Sequence, residues 1–258
     1  MSRQISMSKM TWQQYAQKTD KILVLPVGST EQHGPHLPLG VDTLLATRFC
    51  ELLCEKIDGV CAPAIGYGYK SKPMSGGGPL FPGTIDLSAS TLQALLVDLF
   101  LEFAADGFSK IFVLSAHFEN DPFIAEAMDI AAKQCNGTVR FVLTNWWDPM
   151  DEELLPRLFD QVPFPGWALE HAAITETSLM LYFAPELVHM DRVVDQDPIQ
   201  IVPYSEYPPR KDLVPQSGVL ASACSSSAQK GALIVENVLP KLVHIARSVL
   251  DGSDPQVT

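Results

Sequence analysis

Two short segments place histidine among carboxylates directly after apolar runs. The first is Glu31-Gln32-His33, with Asp42 following in the next helical pattern, and the second is His117-Phe118-Glu119. In extended backbone, residues two apart point to the same side, so each segment would present an imidazole and a carboxylate together. That pairing suits divalent zinc or manganese. The set Glu31, His33, Asp42, His117 and Glu119 is larger than one open catalytic zinc needs, and it suits two ions sharing a carboxylate. Three carboxylates and a bridging hydroxide would balance two divalent cations. Such a centre supplies a hydroxide nucleophile at neutral pH and polarises a carbonyl. The alternative is a hydrogen-bonded polar patch at strand ends, the usual meaning of an isolated His-x-Glu.

A third cluster is Trp167-Ala168-Leu169-Glu170-His171, with Glu176 close behind. His171 could pass a proton to a leaving nitrogen, or be an ordinary half-buried histidine. Trp146, Trp147 and Trp167 flank these clusters. Tryptophan is more often core, yet beside a proton carrier it can stack on a flat substrate. His36 could stand behind the ligands, while His189 and His244 have no such company and count as structural. The run Ser75-Gly76-Gly77-Gly78 lacks the lysine and spacing of a nucleotide loop. It would instead let backbone approach a ligand, or form a lid.

The elements that must position these groups alternate. Runs rich in β-branched residues at 22–28, 60–65, 110–116 and 138–144 read as strands. Helical patterns lie at 41–57, at 90–105 with Leu92, Leu95, Leu96, Leu99 and Phe103 on one face, and at 122–134 after Asn120-Asp121-Pro122. The order predicts an α/β fold: a mainly parallel sheet with helices on both faces, and ligands beyond the strands' carboxyl ends. Residues 151–160 and 169–184 read as helical, and 185–226 as long loops that could contact other subunits. A last helix near 227–250 carries Val235, Val238, Leu242, Ile245 and Val249, with Pro240 expected to kink or split it. No repeat or boundary interrupts the chain, so residues 1–258 are read as a single domain.

Composition narrows the partners. The chain has 258 residues, 47% of them hydrophobic, enough for a proper core. No apolar run reaches the roughly 18 residues of a membrane span, and the first residues lack the apolar stretch of a secretory signal. A cytoplasmic location is expected. Lys plus Arg number 18 against 30 Asp plus Glu, a net charge of −12, so neither nucleic acid nor an anionic membrane is an expected partner. Cys50, Cys54, Cys61, Cys135 and Cys224 form no C-x-x-C pair and read as small hydrophobes rather than a disulfide or zinc scaffold.

Taken together, LPVGSTEQHGPHLPLGVDTLLA, YGYKSKPMSGGGPLFPGT, SAHFEN, NWWD and GWALEHAAITETSLML resemble the creatininase (creatinine amidohydrolase) family. The E-x-H-G-x-H-L-P-L-x-x-D block is highly specific for it, and the SGGG, W-x-D and GW-x-x-EH elements are similar to its creatinine-cleaving branch. The resemblance implies a three-layer α/β fold and two divalent ions, zinc or manganese, held by Glu31, His33, Asp42, His117 and Glu119 with Asp42 as the bridge. It implies that His171 moves a proton to the ring nitrogen, assisted by Glu119 or Glu170. Trp147 and Trp167 would close over the substrate, Ser75 would touch it, and the chain would form a homohexamer. Two positions depart from the branch: Phe118 replaces a tyrosine, and Ala168 an aspartate that would suit the guanidino end of creatinine. The implied reaction is the opening of a small cyclic amide, creatinine to creatine in the leading case. Another lactam, a cyclic urea or a formamide is the alternative. A peptidase role or a non-catalytic scaffold is the reading from other classes.

Overall fold

The computed structural model describes residues 4–72, 78–200, 204, 206–208 and 211–250. Four parallel strands form one sheet in the order β2-β1-β3-β4, with β1 Leu23–Val27, β2 Val60–Cys61, β3 Lys110–Ser115 and β4 Arg140–Asn145. Their side chains alternate between two cores. Val24, Phe112 and Leu114 face one way, and Leu23, Leu25, Ile111 and Val113 the other. An all-apolar strand buried on both faces needs a helical layer on each side.

Those layers are supplied in chain order. After α1, Trp12–Ala16, come α2, Val41–Ile57, α3, Ala89–Ala105, and α4, Asp121–Gln134. α2 covers the first face through Leu45, Phe49 and Leu53. α3 and α4 cover the second through Leu92, Leu96, Phe100, Ile124 and Ala127. Ser88 caps α3 by accepting the Thr91 backbone N–H. Beyond α5, Leu155–Leu158, the first face is completed by α6, Ile174–Phe183, and α7, Ala228–Leu250. The expected α/β architecture with both faces covered is the observed one.

Several elements differ in extent. The strand expected over 60–65 stops at Cys61, because Pro63 cannot donate to the ladder, and resumes as a single bridge between Val27 and Ile65. On α3, Leu95 is exposed and Phe100 takes the core place expected for it. The helix expected over 151–160 is a short 3-10 turn followed by α5. The one expected from 169 begins only at Ile174, because Ala172 has φ 55, a left-handed conformation that ends regular helix. Pro240 does not split α7, which runs unbroken. Both Pro240 and Glu236, whose carbonyl loses its partner, are exposed, so water can satisfy that carbonyl. On α7 the expected Val235, Val238 and Leu242 are buried together with Ile234, whereas in the last turns Ala246 and Leu250 take the places of Ile245 and Val249, which are only partly buried. Residues 185–200 and 211–226 are loops with short 3-10 turns. Among the described residues no helix is long and apolar enough to cross a membrane, and the five cysteines are free.

Candidate active site

The clusters meet at the carboxyl end of the sheet. Glu31 and His33 lie in the loop leaving β1, and Asp42 is in the first turn of α2. Gly28 lets these segments touch: a Cβ there would stand 2.4 Å from the Thr43 backbone nitrogen. β3 pairs with β1, so the residues after β3 arrive beside that loop. His117 to Asn120 form a turn closed by the Asn120 N–H donating to the His117 carbonyl at 3.1 Å, rather than extended chain. Asn120 ties the region together, donating to Gly28 O at 3.0 Å and accepting from Tyr69 N at 2.8 Å.

The tautomers of the histidines follow from their carbonyl partners, which can only accept. His33 donates through Nδ1 to Glu31 O at 3.2 Å, which turns its Nε2 toward Asp42 Oδ1 at 3.0 Å and Glu176 Oε2 at 3.6 Å. His117 donates through Nε2 to Tyr69 O at 3.0 Å, and its Nδ1 meets Glu31 Oε1 at 2.9 Å and Asp42 Oδ2 at 3.2 Å. His171 donates through Nε2 to Gln32 O at 2.7 Å, leaving Nδ1 3.8 Å from Glu31 Oε1. Three sets of donor atoms converge: Glu31–Asp42–His117, His33–Asp42–Glu176 and Glu31–His33–His171. The first two share Asp42.

The carboxylates of the cluster are held ionised, and its hydrogen-bond accounting leaves places that a cation would fill. Burial alone would push Glu31 and Asp42 up, yet the neighbouring imidazoles hold both carboxyls below their usual range. Burial alone would likewise lower His33 and His117. Asp42 and Glu176 override it at His33, and Glu31, Asp42 and Glu119 at His117, so both sit well above the ordinary imidazole range. Glu31 Oε2, Asp42 Oδ2 and His33 Nε2 are nevertheless buried without a hydrogen-bond partner. Asp42 Oδ2 and His33 Nε2 lie within ion-pair distance of His117 and Asp42 but out of hydrogen-bonding alignment, and a divalent ion would satisfy all three atoms.

Around this cluster the other sequence-predicted residues divide. Glu119 lies beside His117, with Oε2 at 3.5 Å from Nε2 and Oε1 accepting from Lys72 N at 3.3 Å, but it belongs to none of the three converging sets. Glu170 spends Oε2 on the Thr175 N–H at 2.8 Å and on the Thr175 hydroxyl, while Oε1 has no partner, and burial pushes its carboxyl up to about 7. Phe118, Trp147 and Trp167 form a row, successive centroids 6.4 and 6.3 Å apart and ring planes 26° apart. Trp146 packs edge-on beneath Trp147 and Trp167. These rings, Ala168 and the acidic cluster line one pocket. His36 is buried behind the cluster against the Thr177 hydroxyl at 3.0 Å, and burial lowers it to about 4, so it is neutral. Ser75 lies outside the described residues.

Glu176 is the residue that sequence reasoning missed. It reads as a mere neighbour of His171, but in the first turn of α6 it reaches His33, its Oε2 also accepting the Ala172 N–H at 2.7 Å. An acidic residue at a helix start, one turn after a histidine that ends an aromatic segment, was the available signal.

Fold and site together define a class: an α/β protein with a buried carboxylate–imidazole cluster suited to divalent metal at the rim of a parallel sheet. The family model described as creatinine amidohydrolase matches residues 8–246, and the chain belongs to the creatininase family of hydrolases. It is 38% identical to the creatinine amidohydrolase of Pseudomonas putida over 92% of this chain and 94% of that one. It is 30% identical to the mycofactocin precursor peptide peptidase of Mycolicibacterium smegmatis, over 83% of this chain and 79% of that one. A mutant creatininase of Zn-Zn type superposes with a TM-score of 0.93 at 35% identity, covering 95% of this chain and 98% of that chain.

Proposed function

We propose that the chain hydrolyses a small cyclic amide with two divalent metal ions, zinc or manganese, creatinine being the leading substrate. Another lactam, a cyclic urea or a formamide is the alternative. The observation that carries this reading is the pair of donor triads sharing Asp42. Glu31, Asp42 and His117 would hold one ion, and His33, Asp42 and Glu176 the other. Ions bound there supply a hydroxide nucleophile at neutral pH and polarise the amide carbonyl.

The remaining steps belong to side chains. Hydrolysis adds one water across the C–N bond: its oxygen ends on the acyl carbon, and the nitrogen leaves with a proton. His171 suits that transfer, because its Nε2–H is fixed on Gln32 O and its Nδ1 faces the cluster. Glu119, expected as a fifth ligand, is assigned instead to proton handling beside His117. Glu170, pushed up to about 7, can hold a proton near neutrality. Trp147, Trp167 and Phe118 stack on the ring beside Ala168, and Ser75 contributes a further contact. A row of near-parallel rings favours a small flat substrate over an extended peptide. The chain would act as one domain in the cytoplasm, and as a hexamer that light scattering can check.

The test is a hydrolysis screen of creatinine and related cyclic amides with zinc or manganese added. Turnover that chelation removes and metal restores is expected. Protein loaded with two ions that opens none of them would overturn the reading.

A further inference from the structure

Gln32 separates Glu31 from His33 in the sequence, but each of its polar groups has a partner elsewhere. Its main-chain N–H donates to the Thr84 hydroxyl at 3.1 Å, and its main-chain carbonyl accepts the His171 Nε2–H at 2.7 Å. The side-chain oxygen accepts the Gly34 N–H at 2.9 Å, and the side-chain nitrogen donates to the Gly218 carbonyl at 2.9 Å. Those two partners fix which end of the amide is oxygen, since an N–H meets one end and a carbonyl the other. Held in this way, the amide nitrogen stands 3.0 Å from His171 Nε2. One buried residue therefore meets this edge of the imidazole with both its main chain and its side chain.

Gly218 belongs to the loop over 211–226, far along the chain from the metal-binding residues. The loop is anchored there: the Gly218 N–H donates to the Pro215 carbonyl at 2.9 Å, and Val219 is buried in the first core. Gly218 has φ 75, and a Cβ on it would stand 2.0 Å from the Gln32 side-chain oxygen and 2.5 Å from Cδ. Only glycine leaves the amide its place. Because the atoms in the way are the end of a side chain, alanine at 218 would displace the amide rather than the chain behind it. A misplacement of about 1 Å can slow a positioned reaction by about a hundredfold. We propose that Gln32 and Gly218 are positioning residues, a clamp that holds the His171 ring in line for proton transfer. The inference rests on the proton-transfer role that the cyclic-amide reading gives to His171, and it brings the 211–226 loop into the chemistry through one amide.

Gln32→Met keeps the side-chain volume and removes the amide, whereas Gly218→Ala keeps the amide and fills its place. In the metal-loaded enzyme, acting on the cyclic amide it opens fastest, each is expected to lower kcat by about tenfold or more. KM and the two bound ions should stay near wild type, because the ring is misplaced while the metal ligands and the aromatic row are kept. The double variant should be no slower than the slower single one, since both break the same link. Positioning also has a direct signature. In zinc-loaded wild type the His171 Nε2–H, assigned through His171→Gln, should give a proton–nitrogen NMR signal protected from exchange with water, and both variants should lose that protection. A kcat that falls only as far as bound metal falls, losses that multiply in the double variant, or a signal that the variants leave protected overturns the clamp. If Gly218→Ala does not fold, Gln32→Met decides by the same kcat and NMR criteria. If the wild type opens no cyclic amide, the hydrolytic reading fails and the NMR signal decides the clamp alone: protection in the wild type that both variants lose supports it, and any other pattern overturns it.

Discussion

Asp42 is the residue on which the cluster turns, since its two oxygens approach His33 at 3.0 Å and His117 at 3.2 Å. Replacing it with Asn removes a shared charge, so Asp42→Asn should lose both ions together in elemental analysis. Glu176→Gln, which touches one triad, should lose about one ion per chain and keep the other. Loss of both ions from Glu176→Gln would mean that the triads are not separable. Glu170 gives a second residue-scale prediction, read from pH. Burial raises its folded pKa from 4.5 to about 7. Its favourable contribution is therefore complete below its unfolded value and is lost as pH rises through about 7. Glu170→Gln keeps an oxygen for the Thr175 N–H and cannot ionise. In chelated protein it should therefore be more stable than wild type above that pH, by up to about 3 kcal/mol, and similar in mild acid. Urea unfolding at both pH values checks this, and a variant weaker at high pH would show that ionised Glu170 is held by a favourable partner.

Helices and strands differed in how far they could be read in advance. β1 and β3 announce themselves because β1 is apolar throughout and β3 has a continuous apolar run from Ile111 to Leu114, as a doubly covered strand requires. α2 was legible to the residue, since Gly40 precedes it and left-handed Asp58 ends it. The stripe on α7 is legible through Val235, Val238 and Leu242 but shifts by one position in the last turns, where apolar residues lie on more than one side and packing decides that Ala246 and Leu250 are buried. The His33–Asp42–Glu176 triad was half hidden for a related reason: α6 brings Glu176 from far along the chain, and no local spacing reveals which helix end will land there. The α6–α7 contact itself is testable. A Cβ at Gly231 would fall 2.2 Å from the Ser178 carbonyl oxygen, backbone that cannot move without its helix. Gly231→Ala should cost about 1–3 kcal/mol of stability through overpacking, against the small gain that alanine brings to an isolated helix. Because α6 carries Glu176, the variant should also bind metal more weakly, whereas a purely local adjustment would leave metal affinity untouched. Calorimetric titration separates these outcomes.

At the scale of the whole molecule, the metal cluster and the fold should share one free energy. The cluster joins the loop after β1, α2, the turn after β3 and α6, so an ion that binds only the assembled set stabilises all of them against unfolding. The pH dependence follows from its histidines. In metal-free protein His33 and His117 have folded pKa values well above 6.5, so their favourable contribution is complete below that value and is lost as pH rises through the raised ones. Glu31 and Asp42, held low, contribute above the ordinary carboxylate range and lose that contribution only as pH falls below it. Between about pH 6 and about pH 8.5 Glu31 and Asp42 therefore stay ionised, and the imidazole protons are what a metal ion bound to them must displace. Raising pH across that window weakens the metal-free protein and eases metal entry at the same time. The rise in Tm on adding zinc to chelated protein should accordingly grow with pH, reaching roughly 10 °C when free zinc is about a thousandfold above its Kd. Differential scanning calorimetry at the two pH values, with and without zinc, measures it. A zinc-induced rise that is the same at both, or larger in mild acid, would mean that the ions do not displace protons from these two histidines.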